Sequence, residues 1–138
     1  MNYKYKMEKV LDYRSNVEKH KVEDFARISQ KLDQEKKHLD TIEEKLEQKK
    51  KEVSTDVHAM KMSFLYKEKL KAELSHQKKK VEDIVHKAND AREVLIEARK
   101  DRKIMELLKE KDKEKFQQEM LLKEQKELDD FTIMRFAK

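Results

Sequence analysis

Histidines are the residues of this chain that most invite a catalytic or metal-binding interpretation. They are His20, His38, His58, His76 and His86. The pairs Glu82–His86 and His86–Asp90 have the four-residue spacing that places two side chains on one face of a helix. However, no histidine lies in an HExxH motif, and the chain has no cysteine for a structural zinc site. Because 47% of the residues are charged, such pairs arise by chance, and we predict no metal site.

The serines and carboxylates make no better case for catalysis. The serines lack the strand–turn–helix context of a nucleophilic elbow. Paired carboxylates are abundant, but a helical rod offers no water-excluding cleft that would shift their pKa values. We therefore predict a protein that is not an enzyme, with no catalytic residues, no cofactor and no small-molecule ligand.

The composition favours long helices over a compact globular core. The 138 residues include no Gly, Pro, Cys or Trp, so the chain has few means of building tight turns or strained loops. Charged residues make up 47% and hydrophobic residues 36%, which is typical of coiled coils, with disorder as the competing interpretation. No apolar run approaches the ~20 residues of a membrane-spanning helix. Without cysteine the fold requires no oxidising compartment, so we expect a cytoplasmic protein.

Seven-residue repeats decide for helix over disorder. One series in the first half is Phe25, Leu32, Leu39, Leu46, Val53 and Met60. Its companion series contains Ile28 and Ile42 but is interrupted by Glu35, Lys49 and Asp56. In the second half one series is Leu74, Val81, Ala88 and Leu95, and the other is Ile84, Ala91, Ala98 and Met105. Two apolar series spaced three and four residues apart form the seam of a coiled coil.

A turn is predicted where the two seams fall out of phase. Residues 53–58 hold the densest cluster of β-branched and helix-capping residues, and Ser54 or Thr55 would cap the second helix. We predict a single all-α domain over residues 1–138, an antiparallel two-helix coiled-coil hairpin. Helix 1 would span about 3–53, the turn about 54–58 and helix 2 about 59–136. One uninterrupted helix stays the alternative, because no glycine marks the corner.

The two predicted arms are unequal. Helices of these lengths would extend roughly 75 Å and 117 Å, which brings the N-terminus beside about residue 107 and leaves about thirty residues projecting. That overhang carries many apolar side chains, among them Leu108, Met120, Leu121, Ile133 and Met134. We expect Phe116, Phe131 and Phe136 on it to contact a partner protein, since one chain supplies nothing to cover them.

Two basic runs raise the question of nucleic-acid binding at a net charge of +5. They are residues 49–51 and 78–80, each three lysines. A basic-region helix is basic over two or more turns, whereas Glu47, Glu52, Glu82 and Asp83 flank these runs closely. A solvated helical face is the better interpretation, and no nucleic-acid partner is predicted.

Three segments, taken in order, resemble the flagellar export protein FliJ family. The first is YKYKMEKVLDYR at residues 3–14, and a serine followed by Phe64-Leu65 comes near mid-chain. The last third has ARKDRKIMELLKEKDKEKF at residues 98–116, then EQKELDDF at 124–131 and a closing Arg135-Phe136. The likeness covers essentially the whole chain.

The resemblance implies a stalk-like soluble component of the flagellar type III export apparatus. Such proteins insert their paired helix ends into the ring of the export ATPase FliI, contact the cytoplasmic domain of the export gate FlhA, and assist export chaperones. This implies a location at the inner face of the membrane, reached through those partners. The implied ATPase-contact residues are Arg99, Arg102, Lys103, Phe116, Gln125, Leu128, Phe131 and Arg135. The implied gate-contact residues are His38, Ile42, Phe64, Leu65, Ala72 and His76.

Two alternatives stay open at this point. A generic coiled-coil scaffold would carry one heptad register through both ends, which the phase break near residue 55 disfavours. The stalk protein of a virulence secretion system would share the architecture but not the EQK-x-LD ending.

Overall fold

The chain folds into two long α-helices packed against each other. The computed structural model describes residues 2–136, in which α1 spans Glu8–Lys51 and α2 spans Val57–Phe136. Residues 2–7 and 52–56 are not helical, and no strand is formed within residues 2–136. The predicted all-α hairpin is confirmed, and the alternative of one uninterrupted helix is wrong.

Asp56 makes the corner between the helices possible without glycine. Its Oδ1 accepts a hydrogen bond of 3.2 Å from the backbone N–H of His58, and its carbonyl accepts one of 2.9 Å from Met60 N–H. Asp56 is therefore the N-cap of α2, and the predicted caps Ser54 and Thr55 are wrong. No described residue has a positive φ, because five non-helical residues spread the reversal over several bonds. The lysines of the last turn of α1 suit the negative end of its dipole.

The described chain divides into two compact units, each built from a piece of both helices. The corner unit is His20–Leu95. The termini unit joins the chain up to Lys19 with the chain from Ile96 onward.

The corner unit has a narrow core that follows the predicted seams. Its buried apolar residues are Ile42, Leu46, Leu70, Ile84, Ala88 and Leu95. Phe25, Ile28, Leu32 and Leu39 of α1 and Leu74, Val81 and Ala91 of α2 are half-buried on the same seams. The two interdigitating series are thus confirmed between residues 25 and 46 and between residues 74 and 95.

The seam of α1 ends earlier than predicted. Val53 is 92% exposed and Met60 is 54% exposed, so neither belongs to the core. The reason is that α1 ends at Lys51, and a heptad position faces a partner helix only while the helix continues. In α2 the first buried apolar residue is Leu70.

The termini unit has a smaller core. Leu11 and Ala98 are buried, and Met105 is half-buried in the continuing seam of α2. Ahead of α1, Tyr3 and Tyr5 are half-buried although they lie in a non-helical segment. Ion pairs such as Arg14–Asp101 and Lys109–Glu8 also connect the two helices in this unit.

Candidate partner-binding surfaces

A polar layer interrupts the apolar core of the corner unit. Gln77 is 4% exposed, and its Nε2 donates hydrogen bonds to the carbonyl oxygen of Glu35 at 3.0 Å and to Glu35 Oε2 at 2.6 Å. Lys80 Nζ lies 3.3 Å from the other carboxylate oxygen. The hydrogen bond from Gln77 is the main cause that lowers the pKa of Glu35; partial desolvation opposes it, and Lys80 adds to the lowering. The charge interrupting the predicted seam is therefore satisfied inside the hairpin.

Glu18 forms the central ion-pair cluster of the termini unit. Its carboxylate accepts hydrogen bonds from Arg99 Nε at 3.3 Å and from Arg102 Nε, and its side chain is only 15% exposed. Arg102 also pairs with Glu106 at 2.8 Å, and these two acceptors raise the pKa of its guanidinium. Farther out, Lys109 lies 2.8 Å from Glu8. Charged groups thus join α1 to α2 where the apolar seam thins.

The segment before α1 is fastened to α2 through two tyrosines. Tyr3 donates a hydrogen bond of 2.8 Å to Asp112 Oδ2, and its ring centroid lies 5.4 Å from that of Phe116. Tyr5 donates to the carbonyl of Met105 at 3.4 Å. Desolvation, and then the Asp112 hydrogen bond, raise the pKa of Tyr3 to about 12. Phe116 is therefore partly covered by its own chain, which corrects the prediction that nothing within the chain would cover it.

The apolar C-terminal tail of α2, residues 121–136, is exposed at every position. Its large hydrophobic side chains are each at least 64% exposed, and they are Leu121, Leu122, Leu128, Phe131, Ile133, Met134 and Phe136. The uncovered apolar end that the sequence predicted is confirmed, and Leu107 and Leu108 are also exposed. Phe116 and Met120 are half-buried, so uninterrupted exposure begins only after Met120. Leu128, Phe131 and Arg135 follow one another at spacings of three and four residues, so they share one face of the helix.

A second exposed apolar group lies at the corner. This corner patch consists of Val53, Val57, Met60, Met62, Phe64 and Leu65, all more than half exposed. Beside it is an open depression of about 890 Å³ whose lining includes Lys49, Tyr66 and Lys67. Lys49 Nζ lies 5.2 Å from the centroid of the Tyr66 ring and 2.8 Å from Glu52. Lys49 therefore connects the last turn of α1 with the loop that follows it and with α2.

The comparison with known protein families assigns the chain. Its sequence matches the family described as "Flagellar FliJ protein" over residues 3–138. The chain belongs to the flagellar FliJ protein family. The family is a component of flagellar protein export and is non-catalytic. No curated protein matches the chain. No solved structure matches it either.

The residues that FliJ-family resemblance implied for ATPase contact all lie in the termini unit. Lys103, Gln125, Leu128, Phe131 and Arg135 are exposed. Arg99, Arg102 and Phe116 are instead engaged by Glu18 and Tyr3, as described above. The structure thus separates an exposed set, which is Lys103 and four residues of the tail, from a set whose side chains also pair within the unit.

The residues implied for gate contact all lie in the corner unit, and one of them is not on its surface. His38, Phe64, Leu65, Ala72 and His76 are exposed. Ile42 is only 5% exposed, so its side chain supports this surface from the core and is not itself available to a partner. Sequence reasoning also missed Gln77, whose signal was its place seven residues after Leu70 and seven before Ile84.

Neither a metal site nor a membrane span is found in the described part of the chain. No three His, Cys, Asp or Glu residues come together as a metal site among residues 2–136. In the pair Glu82–His86, which the sequence analysis considered for metal binding, Glu82 Oε1 lies 4.0 Å from His86 Nε2. Neither α1 nor α2 contains a stretch apolar enough, over the length that a bilayer requires, to cross a membrane.

Proposed function

We propose that this FliJ-family protein is a stalk-like, non-enzymatic coiled coil of the flagellar export apparatus, which binds the export ATPase FliI ring through its termini unit. The observation that carries the proposal is the exposed apolar tail of α2. A monomeric protein seldom leaves so many large apolar side chains uncovered on one helix unless a partner covers them. Leu128, Phe131 and Arg135 provide one apolar face with a basic end, which suits helix-in-groove binding.

Arg99, Arg102, Lys103, Phe116 and Gln125 complete the proposed ATPase-facing set. Because Arg99 and Arg102 already pair with Glu18, their part is to brace the helix ends as well as to meet the ring. A surface that is partly committed to its own chain gives a moderate interface, which a cycling ATPase can form and release repeatedly.

The corner unit is the proposed contact for the cytoplasmic domain of the export gate FlhA. Phe64 and Leu65 of the corner patch are exposed apolar side chains. His38 on α1, and Ala72 and His76 on α2, are exposed farther along the helices. Binding to FliI and FlhA at the same time would hold the protein in the cytoplasm at the inner face of the membrane, where it would also meet export chaperones.

The ATPase contact is tested with two matched double variants of the full chain. Leu128→Ala with Phe131→Ala removes the proposed apolar face. Leu122→Ala with Ile133→Ala removes two equally exposed residues that lie eleven positions apart, on another face of the same tail. We expect the first variant to weaken binding to purified FliI rings at least tenfold and the second to weaken it less than twofold, with unchanged helicity.

Two results would contradict the proposal. One is an equal effect of both variants on ring binding, which would mean that no particular face is recognised. The other is failure of the wild-type chain to bind either FliI or the FlhA domain while it forms a stable parallel homodimer.

A further inference from the structure

We propose that the corner end of the hairpin docks directly on a membrane surface rich in anionic lipid headgroups. This interaction goes beyond the proposed function, in which the membrane is reached only through partner proteins. It rests on the charge, the apolar exposure and the lysine chemistry of the corner unit.

Positive charge is concentrated in the segment that contains the end of α1, the turn and the first third of α2. Between the acidic pairs at 43–44 and 82–83, residues 45–80 contain eleven lysines and five acidic residues, an excess of six positive charges. The whole chain has a net charge of +5, so everything outside this segment is close to neutral. A local excess of this size attracts an anionic surface, and lysines near such a surface act almost additively.

Apolar side chains are exposed within the same segment. Val57, Met60 and Phe64 are spaced by three and four residues, so they form one stripe along the first two turns of α2. Val53 precedes them in the turn and is 92% exposed. Interfacial segments bury such a stripe at the boundary of headgroups and acyl chains, while neighbouring lysines extend their stems and keep the ammonium groups among the phosphates.

The choice of lysine favours a lipid surface over an acidic protein groove. Residues 45–80 contain no arginine, although the chain uses arginine elsewhere, as at Arg99 and Arg102. Protein–protein interfaces are enriched in arginine and depleted in lysine, because the planar guanidinium binds carboxylates in a fixed geometry. A membrane requires no such geometry. Lys51, Lys61 and Lys69 are exposed, and none forms an ion pair within residues 2–136.

The test is flotation of the full-length protein with vesicles. One set contains an equal mixture of phosphatidylglycerol and phosphatidylcholine, and the other contains phosphatidylcholine alone. We expect at least tenfold stronger partitioning onto the anionic set at low salt, and loss of that preference near 1 M salt, where charges are screened beyond about 3 Å. Lys51→Gln, Lys61→Gln and Lys69→Gln together should lower partitioning about a hundredfold at low salt.

Two further variants separate this proposal from general charge effects. Lys111→Gln, Lys113→Gln and Lys115→Gln remove the same charge from exposed positions in the termini unit and should leave partitioning within twofold. Val57→Ser with Met60→Ser changes only exposed apolar residues, so helicity should hold while partitioning falls about tenfold.

Three outcomes overturn the proposal. The first is equal partitioning onto both vesicle sets, and the second is equal loss in the two lysine variants. The third is absence of vesicle binding while the isolated FlhA domain binds with the same dependence on the three corner lysines. None of the substituted residues is among those named individually for the ATPase or gate contacts. The corner variants nevertheless lie in the unit that is proposed to bind FlhA, so FlhA binding of each variant is measured separately from its vesicle binding.

Discussion

The buried side chain of Gln77 donates two hydrogen bonds to Glu35, one to its carbonyl oxygen at 3.0 Å and one to its carboxylate at 2.6 Å. This pair links α1 to α2 in the middle of an otherwise apolar seam. A polar pair at a core position stabilises one register of two helices over its neighbours, because any slip leaves both groups buried without partners.

The first prediction concerns the cost of breaking this pair. Gln77→Ala should lower the free energy of unfolding by about 1–3 kcal/mol, because packing is lost together with two hydrogen bonds. The double variant Glu35→Leu with Gln77→Leu should be at least as stable as the wild type, since no buried polar side chain is then left without a partner and Lys80 is exposed to water. Urea unfolding followed by circular dichroism measures both. If Gln77→Ala leaves the free energy of unfolding unchanged, the pair does not stabilise the hairpin.

Glu35 should also make the hairpin sensitive to acid. Its pKa is lowered in the folded state, so its stabilising contribution is fully present above 4.5, the ordinary pKa of a glutamate, and is lost as the pH falls through the lower, folded pKa. Glu35→Gln removes that titration. The difference in melting temperature between the two proteins should therefore shrink as the pH falls below 4.5, and a difference that stays constant down to pH ~2 would contradict this.

Tyr3 gives the opposite dependence, at high pH. Its pKa is raised from 10.0 to about 12, so the contribution of its phenol is complete below pH 10 and is lost between pH 10 and about 12. Absorbance of the four tyrosines, followed against pH, should show one late ionisation that is absent in Tyr3→Phe. If the substitution leaves the titration curve unchanged, the contact with Asp112 does not persist in solution.

The revised end of the apolar seam predicts contrasting effects of two substitutions. Leu70→Ala removes a buried side chain and should lower the free energy of unfolding by about 2–5 kcal/mol. Met60→Ala, at a position that the heptad pattern alone assigns to the core, should change it by less than about 0.5 kcal/mol. Chemical denaturation of the two variants at equal concentration makes the comparison, and similar losses would restore Met60 to the core.

Removal of the apolar tail should leave the hairpin folded. The described residues that a chain ending at Met120 lacks, 121–136, are all exposed, so its free energy of unfolding should stay within about 0.5 kcal/mol of the full protein. Its binding to FliI rings should be abolished. A large fall in stability would show that the tail packs on the protein itself in solution.

The sequence predicted the repeating part of the fold well and its ends poorly. Ile84 and Leu95 were placed correctly because a seven-residue repeat is an average over many turns of helix. The cap was misplaced because Ser54, Thr55 and Asp56 are all good capping residues, and only the path of the chain selects among them. Contacts between residues far apart in sequence, such as Tyr3 with Phe116, have no local signal.

The candidate surfaces were likewise predicted where the repeat determines exposure and not where contacts distant in sequence determine it. Exposure of Leu128 and Phe131 followed from the unequal lengths of the two predicted helices, since a shorter α1 leaves the end of α2 without a neighbour. Burial of Ile42 also followed from its heptad position, yet the family resemblance still implied a contact there. Arg102 was named only for a partner, and its pairing with Glu18 depends on a register that no pattern of charges specified.

The thin seam between the helices has a consequence for how this protein can change over generations. No described side chain falls below 2% exposure, and tertiary constraint is confined to about two positions in every seven. Apart from paired residues such as Glu18 and Arg102, the other five can exchange Lys, Glu, Gln and Arg at little thermodynamic cost. Descendants should therefore drift far apart letter by letter while the spacing of their apolar residues stays fixed, and a saturating mutational scan should show that seven-residue rhythm as its strongest periodic signal.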